Sequence, residues 1–226
     1  MKVKSNTKLA IFDTFKTKDN DLTGEANRQR AIIAILGSNA NPAERTRTGI
    51  SQRIAKKADI AWKNIYSGIF RDLDEILLPI GIAEEDGRLP LKRGPKALQE
   101  KGIPYYHLTK EGILVALSIT EVKNKEKIMK EFFSLANSDE KEFKEILSSL
   151  MESSPIFTHS IFQKYVKAFC ENKIEKLLPF NLSKLSQIPD ESAIIQKEIL
   201  DAFLKFSKSE KDEALNFLNK IIPDGQ

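Results

Sequence analysis

SQRIAKKADIAWKNIYSGIFRDLDEILL, residues 51–78, holds two helical patterns separated by a tight break at Ala58–Asp59. At about 100° per residue, Trp62, Ile65, Tyr66, Ile69, Leu73, Ile76 and Leu77 gather on one side of the second helix, and Asn64, Ser67, Gly68 and Arg71 on the other. The first set fits a core. The second is polar and small in its middle, so the helix axis can come close to another surface. A solvated helix face has the same composition. A short helix, a turn and a longer helix form the helix-turn-helix arrangement. In that arrangement Asn pairs with adenine and Arg with guanine when the second helix lies in a major groove.

Working upstream, the helix GISQRIAKKA starts at a cap supplied by Thr48 or Ser51. It turns Ile50, Ile54, Ala55 and Ala58 inward and leaves Gln52, Arg53, Lys56 and Lys57 outside. The loop GSNANPAERTRT before it carries Arg45 and Arg47, placed to touch a phosphate backbone. Thr23 to Leu36 predicts the first helix, capped by Thr23 and closed by Gly37 at C′. Residues 1–22 are Lys-rich with Leu9, Ile11, Phe12 and Phe15 interspersed. They form either a loose arm or a segment docked through those apolar residues.

Downstream, the long helix ends near Leu77–Pro79. Its acidic last turns, with Asp72, Asp74 and Glu75, would repel a duplex, so its N-terminal half is the half expected to meet one. Next come Ile80-Gly81-Ile82, a turn expected at Asp86-Gly87-Arg88, and Tyr105-Tyr106-His107-Leu108-Thr109-Lys110-Glu111-Gly112. The alternation to Leu108 suits a short strand, and Thr109 suits a helix N-cap. This order resembles the winged helix-turn-helix regulators of bacteria and archaea, in which a YxLTxxG segment ends the second wing strand. The resemblance covers residues 23–120. It implies double-stranded DNA as the partner, with Arg53, Lys56, Lys57 and Lys63 holding phosphates and Ser51 and Gln52 also at the DNA-binding surface. Asn64, Ser67 and Arg71 would face base edges, and Arg88, Lys92, Arg93 and Lys96 would lie on a basic wing. The stretch from Gly87 to Tyr105 is longer than a simple wing needs and contains Pro90, Pro95 and Pro104, so it departs from two clean strands. A surface insertion of mixed charge has a similar composition.

Charge supports the same half. Residues 1–120 hold 20 Lys and Arg against 14 Asp and Glu, whereas residues 121–226 hold 16 against 18. The later half reads as helices with Phe-rich stripes: Val122 to Ala136; a run through Phe143, Leu147 and Met151 behind an Asp139/Glu142 capping box; and a third opening at Ser154-Pro155. Pro179 to Pro189 is a connector with one short helical piece. Two last helices follow, capped by Asp190 and Ser209. The expected architecture is mainly α: an arm at 1–22, a winged helix-turn-helix with a small β-wing at 23–120, and a C-terminal α-helical bundle at 121–226 for dimerisation or partner contact.

Other chemistry is sparse. Two histidines, His107 and His159, and one cysteine, Cys170, offer no zinc spacing, no intrachain disulfide and no nucleophile elbow. The expectation is therefore no enzyme, no cofactor and no metal site. Without a signal-like or membrane-length apolar run, the chain reads as a soluble cytoplasmic protein. The leading functional expectation is a homodimeric DNA-binding transcriptional regulator. The alternative is a protein–protein interaction module whose C-terminal helices bind the partner.

Overall fold

The computed structural model describes residues 8–16, 21–38, 41–91, 93–135, 140 and 144–221. The chain is mainly helical with one small antiparallel sheet. It divides into two compact units, Met1–Leu185 and Ser186–Gln226. The boundary expected at residue 120 thus falls inside the first unit.

Helix α1, Gly24–Leu36, is the centre of that unit. Thr23 accepts from Ala26 N and caps it, as its sequence position predicts. Gly37 closes it in right-handed geometry, so the left-handed C′ conformation expected there is not used. Ala26, Gln29, Arg30, Ile32, Ile33, Ile35 and Leu36 are buried. The segment before α1 is docked: Leu9, Ala10 and Ile11 are buried, and Gln29 Oε1 accepts from Ala10 N at 2.8 Å.

A 3-10 turn, Pro42–Arg45, leads into α2, Arg47–Ala58. The cap of α2 is Thr46, not Thr48 or Ser51: Thr46 Oγ1 accepts from Gly49 N at 3.0 Å. A Cβ at Gly49 would collide with the Ala43 carbonyl and Glu44 backbone of the turn below, so only glycine lets α2 seat there. Asp59 ends α2 in the left-handed region, which Asp tolerates better than most residues. Helix α3, Trp62–Arg71, follows. The expected single long helix ends at Arg71, and Asp72–Leu77 continues as a wider turn in which Leu78 N reaches Leu73 O at 2.9 Å. That widening rotates Asp72, Leu73, Ile76 and Leu77 into the interior.

Strand β1, Ala83–Leu89, pairs antiparallel with β2, Ile103–Leu108. Asp86-Gly87-Arg88 is not the turn between them. It lies within β1, where the register shifts between Glu85 and Gly87 and Asp86 bulges out. The connection instead holds a short helix, α4, Lys96–Lys101, which accounts for its length. Thr46 bridges to Tyr105 on the other side of β2. Thr109 caps α5, Lys110–Leu117, as expected, and a Cβ at Gly112 would collide with the Ile82 carbonyl. The glycine therefore lets α5 press against the start of β1.

Helices α6, Lys125–Ser134, α7, Lys144–Ser153, and α8, Pro155–Cys170, complete the first unit. Pro155 opens α8 at the expected position, and α6 starts at Lys125 rather than Val122 because Asn124 adopts the left-handed region. Both α6 and α8 pack on α5, so residues on either side of position 120 share one core. Phe180 is its aromatic hub, with ring centroids 4.9 Å from Tyr165, 5.5 Å from Phe162 and 6.1 Å from Phe132. The Asp139/Glu142 capping box, Ala136 and Phe143 lie outside the described residues. A short helix, α9, Leu182–Ser186, sits in the expected connector.

One half-buried amine in this unit opposes the fold. Lys125 Nζ lies 2.6 Å from His159 Nδ1. Burial lowers the Lys125 pKa to about 8 from 10.5, and burial together with the Lys125 charge lowers that of His159. Between about pH 8 and 10.5 the unfolded chain holds the extra proton, so stability rises with pH across that window, and at neutral pH the charged amine is a burden. Lys125→Met is expected to stabilise the protein at neutral pH by roughly 1 kcal/mol, discounted for the partial exposure of the amine. The gain should fade as the pH approaches 10.5. Thermal melts of both proteins across that range check it; equal stability at neutral pH would contradict it.

The second unit consists of α10, Glu191–Lys205, and α11, Lys208–Ile221. Asp190 caps α10 as expected. Ser207, rather than Ser209, caps α11: its Oγ accepts from Glu210 N at 3.4 Å, and its own N–H donates to Glu210 Oε2 at 2.8 Å. Among the described residues, no helix is long and apolar enough to cross a membrane.

Candidate nucleic-acid interface

Helices α2 and α3 pack against each other across the Asp59–Ala61 turn, and α3 also leans on α1. Ile69 is buried and Trp62, Ile65 and Tyr66 are half-buried, with Trp62 and Tyr66 edge to face at 5.7 Å. Lys63, Asn64, Ser67 and Arg71 are exposed on the opposite side. On α2, Gln52, Arg53, Lys56 and Lys57 are exposed as expected. Ile50 and Ala55 point inward, Ile54 is half-buried and Ala58 is exposed.

Gly68 belongs to the inner seam rather than the open face. A Cβ there would meet Arg28 Nε of α1 at 2.9 Å. The space left by its missing side chain admits the Arg28 guanidinium, which donates to the buried Asp72 at 2.7 Å. Arg71 Nη2 also reaches Asp72, at 3.4 Å, and lies 3.8 Å from Glu25. Asp74 accepts two bonds from Arg47, at 2.8 and 2.5 Å. Two of the three acidic groups expected to repel a duplex are thus internal counter-ions of arginines; Glu75 is the exposed one.

Other sequence-assigned cations are likewise placed in the fold. Arg47 stacks over Phe70 and Tyr106, with centroid distances of 5.4 and 5.2 Å. Burial works against its charge, but the Asp74 hydrogen bond and charge together with the Tyr106 and Tyr66 phenols outweigh it and raise its pKa. Burial in turn pushes the Tyr106 phenol up to about 12. Arg45 donates to Asp86 at 2.8 Å and to the Tyr106 carbonyl at 3.1 Å. Arg45 and Arg47 therefore tie the 3-10 turn and α2 to the sheet and to the turn after α3, and they do not stand free as phosphate contacts. Arg88 chelates Glu85 at 2.6 and 2.9 Å. Ser51 is buried and its hydroxyl donates to Arg47 O, so its side chain faces away from the outer surface. Arg53 pairs with Glu44 at 2.9 Å in the open. Arg93 and Lys96 are exposed near α4; Lys92 lies outside the described residues.

Lys56, Lys57 and Lys63 remain exposed, with no ion-pair partner among the described residues. Two apolar side chains share their side of the molecule: Phe70 on α3 and Ile60 in the turn, each almost half exposed. Sequence periodicity assigned neither to a face. Phe70 sits three residues past Ser67, and that spacing was the available signal. Among the described residues no group of His, Cys, Asp and Glu is placed to hold a metal ion. No family model matches the chain, and no curated protein or solved structure matches it.

Proposed function

We propose that the first unit is a winged helix-turn-helix that binds double-stranded DNA as a transcriptional regulator, with α3 in the major groove. The observation that carries this reading is the surface shared by α2 and α3. It exposes Lys56 on α2 and Lys63, Asn64 and Ser67 on α3, with Lys57 on the edge of α2 that turns toward α1, while Asp72 and Asp74 are neutralised by Arg28 and Arg47. Asn64 has the donor–acceptor pair that suits adenine, and the lysines suit phosphates on either side. The N-terminus of α3 has no side-chain cap, so its free N–H groups can serve a phosphate. Phe70 adds an apolar edge of the kind that meets a thymine methyl. Arg71 has to leave Glu25 to read a base, so Asn64 is the principal reader in this proposal. The bulged strand pair is the wing, and Arg93 and Lys96 lie on its connection.

The test is a titration of generic duplex DNA across salt concentration. Binding should weaken steeply, with a slope of about 0.9 per neutralised phosphate. Asn64→Ala should leave that slope unchanged and reduce discrimination between sequences recovered from random duplexes by about 1–3 kcal/mol per contacted base. Exposure of Phe70 and Ile60 favours a second reading, a protein-binding face. Absence of duplex binding even at low salt would decide for it.

A further inference from the structure

We propose that the Ser186–Gln226 unit is a homodimerisation element, in which α10 and α11 of one chain form a four-helix core with the same pair from a second copy. Large apolar side chains are normally covered, yet no residue of α10 or α11 is buried. Ile195, Ile199, Leu200 and Leu204 of α10 and Leu215, Phe217 and Ile221 of α11 are 47% to 72% exposed. They are not scattered. At about 100° per residue the four on α10 share one half of the helix, and Lys197, Glu198, Asp201 and Lys205 lie on the other, with Ile194, 66% exposed, as the one large apolar side chain among them. On α11 the three apolar positions flank Ala214 and Leu218, opposite Asp212, Asn216 and Lys220. Each helix therefore has a solvated side and a side built for packing.

Size says that this packing has to come from outside the pair. The unit is near the limit of about 40 residues below which a chain needs disulfides, a metal or association to hold a fold. The only cysteine, Cys170, lies outside it. Two helices cannot enclose apolar halves this wide. Four can, and an identical pair supplies helices of matching length, 15 and 14 residues, whose apolar sides meet their own kind about a two-fold axis. The area is sufficient. Seven large apolar side chains, 47% to 72% exposed and spread over two helices, offer apolar surface of the order of the ~800 Å² per partner of a standard interface. The mixed charges on the outer side of α10 leave no block of one sign to oppose the approach.

The experiment is sedimentation equilibrium of the full chain at micromolar concentration without DNA, so its outcome is independent of the nucleic-acid proposal. The expected mass is twice 25.6 kDa. Leu204→Glu and, separately, Phe217→Glu should each weaken self-association at least tenfold and return the mass to 25.6 kDa, with the helical circular dichroism of the first unit retained. Ile156→Glu, at the most exposed large apolar residue of the first unit, should leave the dimer intact. A wild-type chain that sediments at 25.6 kDa overturns the proposal, and so does a dimer that survives both α10 and α11 variants.

Discussion

Arg28→Ala is expected to be the most destabilising single change on the α1–α3 seam, at about 3 kcal/mol. The Asp72 carboxylate is fully buried, and its strong partner is the Arg28 Nε at 2.7 Å; the Arg71 contact is longer, at 3.4 Å. Removing one partner of a buried pair leaves a charge without compensation and costs about 3–5 kcal/mol, and the remaining Arg71 contact places this case at the lower end. For a chain of this length about 3 kcal/mol corresponds to a fall in Tm of roughly 6–12 °C. Arg53→Ala is the control. Its ion pair with Glu44 is open to water on both sides, so its loss should cost well under 1 kcal/mol. The double change Arg28→Met with Asp72→Leu should recover most of the loss, because an apolar pair of similar volume replaces a buried ion pair at little cost. Equal melting temperatures for Arg28→Ala and Arg53→Ala would refute the role given to Asp72.

That pair also marks the limit of what the sequence makes legible. Features decided within one turn of chain are readable: the Thr23, Thr109 and Asp190 caps and the Pro155 start each depend on groups three residues away or fewer. So is the two-sidedness of α3, because periodicity separates Ile65 and Ile69 from Asn64 and Ser67. Competing local signals already mislead. Thr46, Thr48 and Ser51 all suit a cap, and the Ala43 and Tyr105 contacts of Thr46 select it. Asp86-Gly87-Arg88 has turn chemistry, yet its residues continue a strand because β2 pairs past them. Charge misleads most. Arg45 and Arg47 look like free cations in a loop, but their partners Asp86 and Asp74 lie 41 and 27 positions away. Nothing local distinguishes an arginine that clamps the fold from one that waits for a phosphate. The fall from a net basic to a net acidic composition after residue 120 similarly suggests a boundary. The real division comes later, because α6 and α8 share their core with α5.

The cations left after this sorting carry the second large effect. Replacing Lys56, Lys57 and Lys63 together by Ala is expected to lower affinity for generic duplex DNA about 10²-fold at physiological salt and to reduce the salt slope by roughly 2.7, at ~0.9 for each phosphate no longer neutralised. All three are exposed, and none has an ion-pair partner among the described residues, so the change should move stability by less than about 0.5 kcal/mol each. The loss should be uniform across sequences, which separates it from the selectivity change expected of Asn64→Ala. Three other exposed lysines, Lys130, Lys144 and Lys176, supply the comparison at constant net charge. If removing them lowers the slope equally, the attraction is a property of the whole basic chain, and the α2–α3 surface has no special claim to the duplex. If only the first set lowers it, the phosphates run past the exposed ends of α2 and α3. In that position Asn64 and Ser67, one helical turn apart, would lie over the intervening groove.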